Sequence, residues 1–88
     1  MPRAIWKFAL TPTTDGQTIM MPSGARMLHV AEQDGDIFVW ALVNPTEELT
    51  RRNIRVFGTG HEMPDQPGRY LNTFLMHGGA LVFHAFEF

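Results

Sequence analysis

RYLNTFLMHGGALVFHAFEF, residues 69–88, holds two apolar extended runs on either side of Gly78-Gly79. Both glycines can take the positive φ angles of a tight two-residue reversal, so the segment is expected to form a β-hairpin. Centred there, the register pairs Met76 with Leu81, Phe74 with Phe83 and Asn72 with Ala85 on one side. Leu75 with Val82, Thr73 with His84 and Leu71 with Phe86 fall on the other side. Both faces are apolar. A strand with one wet face alternates apolar and polar residues, so this hairpin belongs inside a sandwich, inside a barrel, or beneath a second subunit.

Outward from the hairpin, the remaining residues read as short strands and turns. Ile5 to Leu10 sets Trp6, Phe8 and Leu10 against Ile5, Lys7 and Ala9, a first strand with one core face. The polar run Thr11-Pro12-Thr13-Thr14-Asp15-Gly16 leads to a second strand, Gln17 to Met21, with which the first is expected to make a hairpin. Pro22-Ser23-Gly24 stops the second strand, because proline lacks a ladder donor. Arg26 to Gln33 and Ile37 to Val43 flank Asp34-Gly35, which places Val30 beside Val39 and His29 beside Trp40. IFVWALV is expected to be a central strand covered on both faces, with Trp6, Trp40 and Phe83 in the core. Asn44-Pro45-Thr46-Glu47 has the order of a helix start, one turn at most. Asn53 to Phe57 is the fifth strand, and Glu62 to Gly68, with two prolines, is an exposed loop into the final hairpin. The expected fold is all-β: one domain over residues 1–88, a small antiparallel sandwich or barrel of about seven strands in a meander.

Composition narrows the class. Eighty-eight residues allow a domain near the size at which an oligomer or other staple helps. Seven basic and nine acidic residues, without long runs, give a net charge of -2 and no footprint for duplex nucleic acid. There is no cysteine for a disulfide or thiolate site, which suits a reducing compartment. No run reaches the roughly twenty apolar residues that span a bilayer, and MPRAIWKFAL does not read as a leader, so no membrane partner is expected. Seven Phe, two Trp, one Tyr and six Met exceed what one small core hides. Homo-oligomerisation is the economical reading.

The segments IWKFAL, TIMMPSGARML, VWALV, RVFGTGHEMPD, YLNTF and LVFHAFEF together resemble a family of short uncharacterised proteins of tailed bacteriophages and prophages. GTGH at residues 58–61 and LVFHAFE at residues 81–87 are its most recognisable parts, and the likeness covers nearly the whole chain. The resemblance implies a viral origin, hence expression in the cytoplasm of an infected bacterium. It also gives weight, by association, to an accessory role against host systems, defence included.

Gly58-Thr59-Gly60-His61 is the best candidate binding loop. Glycines let backbone amides approach an anion, Thr59 adds a hydroxyl, and Arg51, Arg52 or Arg55 could supply positive charge. The full dinucleotide and phosphate-loop patterns are both missing, and a bulge or strand exit is the plainer reading. Tyr70, beside Arg69 at the loop end of its strand, is the ring expected to be exposed; with Arg51 or Arg52 nearby it would make an anion-and-ring pocket. His29, His61, His77 and His84 form no HxH or HxxxH pair, so neither metal nor cofactor is expected. His84, opposite Thr73, reads as a hydrogen-bonded core or interface histidine. Ser23 lacks a nucleophile elbow, and Glu47-Glu48 point apart, so no catalytic residue is assigned.

These readings combine into an expected function. The chain is a non-enzymatic phage accessory protein that binds a small anionic, nucleotide-like signal, or a host protein, at an oligomer interface. Arg51, Arg52, Thr59, Gly60, His61 and Tyr70 are the expected ligand residues. Leu71, Leu75, Val82, His84 and Phe86, the second face of the hairpin, are the expected subunit contact. A phage structural or assembly module, and a small hydrolase or lyase using His61, are the alternatives.

Overall fold

A computed structural model describes residues 2–88 and contains seven strands among them: β1 (Ala4–Leu10), β2 (Gln17–Pro22), β3 (Arg26–Gln33), β4 (Asp36–Val43), β5 (Leu49–Gly58), β6 (Arg69–Met76) and β7 (Leu81–Glu87). They form two antiparallel sheets, β1-β4-β3 and β2-β5-β7-β6, that do not close into a barrel. The all-β sandwich is thus as expected, but the meander is not. β1 pairs with β4 and β2 with β5, so the expected β1–β2 hairpin is replaced by a crossing from one sheet to the other. The polar run between them serves that crossing, since Val56 donates its amide to the Thr13 carbonyl at 2.9 Å.

Both expected reversals carry the backbone that their glycines permit. Asp34 and Gly35 sit at φ 53° and 89°, and Val30 and His29 lie opposite Val39 and Trp40. The last hairpin turns through His77–Ala80, with Gly78 and Gly79 at φ 66° and 95°, and Ala80 donates to the His77 carbonyl at 3.2 Å. Its register is the expected one from Met76–Leu81 to Asn72–Ala85. There a bulge at Leu71 shifts it, so that Tyr70, and not Leu71, faces Phe86. Leu71 therefore leaves the outer face and packs against the core. The expected helical start at 44–47 is a turn instead. The Asn44 Oδ1 accepts from the Thr46 amide at 3.1 Å and from its hydroxyl at 2.7 Å, an alternative to a helical turn, and β5 begins at Leu49.

The core fills one layer between the sheets. β4 turns Ile37, Val39, Ala41 and Val43 inward, β5 adds Ile54 and Val56, and β6 and β7 add Phe74, Met76 and Ala85. Trp40 is on the other face of β4, half-buried, and Trp6 lies on the edge strand β1 at 37 % exposure, so neither tryptophan fills the core. Phe83 packs against the core as expected.

Two side-chain amides join the sheets at their margins. Asn72 on β6 accepts from the Val30 amide and donates to the Val30 carbonyl on β3, both at 2.7 Å. Gln17, opening β2, treats Thr11, just beyond β1, the same way: it accepts from the Thr11 amide at 2.8 Å and donates to its carbonyl. A carboxamide offers one donor and one acceptor side by side, so it stands in for a neighbouring strand. Replacing Asn72 by Ala removes both partners from a half-buried edge, and each unsatisfied group costs about 1–3 kcal/mol. Asn72→Ala is expected to lower unfolding stability by about 2–4 kcal/mol in urea titration. Asn72→Asp is expected to be at least as damaging, because a carboxylate would face the Val30 carbonyl.

Candidate functional site

The candidate site lies on the outer face of the second sheet, where three strands present a row of rings. Phe57 on β5 and Phe86 on β7 meet edge to face at 5.8 Å, and Phe86 meets Tyr70 on β6 at 5.5 Å. Cross-strand rings of this kind prefer such tilted contacts. Phe57 is only 2 % exposed although its strand neighbours Ile54 and Val56 already fill the core. The outer face thus carries a second, smaller apolar cluster. A depression of about 250 Å³ opens over it, lined by Phe57, Met63, Tyr70 and Phe86 and by the polar groups of Thr59, His61 and His84, with Gly58 and Gly60.

The polar groups are held in two ways. His61 folds back over Gly58: its Nδ1 accepts from the Gly58 amide at 3.1 Å. An accepting Nδ1 leaves the ring proton on Nε2, so His61 presents an N–H donor. Glycine lets the ring lie this close, because a β-carbon at position 58 would stand 2.9 Å from the imidazole Cε1 and push it away. His84 sits between two hydroxyls. Thr59 Oγ1 is 2.8 Å from its Nε2, Thr73 Oγ1 is 2.9 Å from its Nδ1, and the Tyr70 hydroxyl is 2.7 Å from Thr73 Oγ1. With one ring proton on His84 the chain runs in either direction. When Thr59 donates to Nε2, the Tyr70 proton is released towards the pocket; when Tyr70 donates to Thr73, Thr59 turns its proton to the Val82 carbonyl at 3.3 Å. Tyr70 is therefore an adaptable donor or acceptor.

The expected ligand residues divide. Thr59, Gly60, His61 and Tyr70 come together, and His84 and Phe86 from the expected subunit contact join them. Arg51 and Arg52 do not. Arg51 lies six residues before Phe57 on the same strand, about 20 Å away. Arg52 points into the end of the sandwich, where it donates to Glu87 and, at 2.7 Å, to the Ala25 carbonyl. Arg69 joins Glu87 at 2.9 Å, so the expected nearness of Arg69 and Arg52 exists, with a carboxylate between them. Arg55 is spent on the Pro67 carbonyl at 3.0 Å and on the Phe88 ring. Met63 and Thr73 were not expected in the site. Thr73 had a signal in its register opposite His84, whereas Met63, in a loop without periodicity, had none. Leu75 stays on the outer face, 59 % exposed, with Val82 half-buried beside it. Among the described residues no three His, Asp or Glu side chains converge on a metal-sized site.

The chain belongs to the family described as a domain of unknown function, DUF7352, whose model matches residues 1–88. No curated protein and no solved structure matches it.

The Arg52 hydrogen bond holds the Glu87 carboxyl below the usual carboxylate range; burial opposes it and Arg69 adds to it. Glu87 in turn raises Arg52. A carboxyl depressed by folding contributes stability above its unfolded value of about 4.3 and loses it as pH falls through the lower folded value. Urea titrations across this acid range are expected to show native stability falling more steeply than that of Glu87→Gln, which lacks the titrating group.

Proposed function

We propose that the protein is a non-enzymatic binding protein, encoded by a bacteriophage, that holds a small ring-bearing ligand of the nucleotide kind against the outer face of β5, β7 and β6. One observation carries this reading. Residues named as ligand-binding from their loop chemistry, and residues named as subunit contact from hairpin patterning, line the same depression. Beyond His84 on the same face stand Leu75, 59 % exposed, and its partner Val82, half-buried, an apolar margin that a second copy of the chain would cover. A ligand seated there would lie beneath that second copy. Binding is preferred to turnover because His84 meets only the Thr59 and Thr73 hydroxyls, with no carboxylate to orient it and stabilise its charged form.

The bacteriophage origin rests on the likeness of the GTGH and LVFHAFE segments to proteins of tailed phages. In the cytoplasm of an infected bacterium, a binder of this kind would act by withdrawing its ligand from a host process, defence among them. The anionic part of the earlier expectation loses its support, since its two arginines are elsewhere.

Light scattering at about 100 μM is expected to give a dimer or larger species, and Leu75→Asp to give a monomer with unchanged circular dichroism. A wild-type monomer at that concentration withdraws the subunit contact. Thermal shift against a panel of nucleosides and nucleotides is expected to find a stabilising ligand whose effect is lost in Tyr70→Ala. A panel without a hit counts against the pocket.

A further inference from the structure

Resting on the reading of this pocket as the binding site, we infer that it takes an uncharged planar heteroaromatic ring through a hydrogen-bond acceptor on that ring. Any sugar or phosphate attached to the ring stays outside. Size is the first argument. About 250 Å³ lies just below the ~300–1,000 Å³ of pockets that enclose drug-sized ligands, so the depression seats one ring system and anything attached to that ring extends beyond it. The walls are the second: Tyr70, exposed, and Phe86, half-buried, border the depression edge to face, with Phe57 packed behind them, and offer an aromatic surface to another flat ring.

The polar groups select what that ring carries. His61, which lines the depression, has its Nδ1 committed to Gly58 and so keeps its proton on Nε2 as a donor. Tyr70 supplies a donor or an acceptor according to the direction of the Thr73–His84–Thr59 chain. A ring carbonyl or ring nitrogen meets the first, and a neighbouring group of either kind meets the second.

An anion finds little here. No lysine or arginine lines the depression. Arg52 and Arg69 share Glu87, and Arg55 is tied to the 66–67 backbone. Nor is the glycine loop an anion cradle. The Gly58 amide goes to His61 Nδ1, the Thr59 amide to the Val82 carbonyl at 3.0 Å, and the His61 amide to the Gly58 carbonyl at 3.1 Å. Three of the four loop amides are thereby spent inside the protein.

Calorimetry on the full chain tests this with the four common nucleosides, their 5′-monophosphates and indole as a ring without an acceptor. At least one nucleoside is expected to bind, with its monophosphate within about three-fold in Kd, and with little change between about 50 and 200 mM salt. Gly58→Ala, which displaces the His61 ring, and His61→Ala are each expected to weaken binding about ten-fold while circular dichroism is retained. A monophosphate bound more than ten-fold tighter than its nucleoside, with steep salt dependence, overturns the inference and leaves the pocket as a binding site. Indole binding as tightly as the best nucleoside overturns the acceptor requirement. Heat from none of the probes overturns the inference and the site reading together.

Discussion

Two carboxamides hold the sheets in register with each other. Asn72 completes the backbone of Val30 on the opposite sheet and Gln17 that of Thr11 just beyond β1, so the sandwich is bridged by side chains at margins where a barrel would be closed by a strand pair. The bridge at Asn72 reaches further than its own bonds. Its strand carries a bulge at Leu71, immediately before it, and β3 carries another between Met27 and His29, just before Val30. One extra residue in a strand turns the residues before it to the opposite face. The same bulge therefore puts Leu71 against the core and Tyr70 on the outer face opposite Phe86. The wall of the pocket and the seam of the sandwich are two results of one irregularity.

Outside the second sheet, the loop after β5 converts a flat face into a concave one. Arg55 draws the carbonyls of Gln66 and Pro67 towards the sheet and lies 4.0 Å over the Phe88 ring, so the loop is tied back across the end of β5. Gly58 lets the His61 ring lie down over the strand exit. The result is a shelter over Phe57 made by local contacts, and its rigidity depends on the sheet more than on the loop's own composition.

How much of this could be read from the chain depends on whether the cause is local. Asp34-Gly35 and Gly78-Gly79 declared their reversals because positive φ is rare for other residues, and the hairpin register followed from them. The partner of β1 could not be read. Ile5–Leu10 and Gln17–Met21 are adjacent and equally apolar, and only the crossing of the 11–16 segment over β5 decides that they belong to different sheets. Bulges leave no mark when both faces of a strand are apolar, which is why Leu71 was assigned to the outer face. The arginines were misplaced for the same reason. Charge near a glycine loop in sequence does not say which carboxylate will claim it, and Glu87, 35 residues from Arg52, does.

The distribution of aromatic side chains argues for a surface with a purpose. The structure is 15 Å across its least dimension, which leaves room for one layer of side chains between sheets that pack about 10 Å apart. Val, Ile, Ala and Met fill that layer, and of the ring-bearing residues only Phe74 is buried in it, with Phe8 and Phe83 packed at its margin. On the outer face of the first sheet, Phe38 and Trp40 cover each other at 6.0 Å, and the Lys7 ammonium lies 4.4 Å over Phe38, so those rings have partners of their own. On the second sheet, Tyr70 is 54 % exposed and the rings beside it border a depression instead of a lid. Stability is served by burying a ring, not by leaving its face open to water. A chain this small that sets Tyr70, a donor-bearing histidine and a hydroxyl chain beside open space leaves apolar burial unused there.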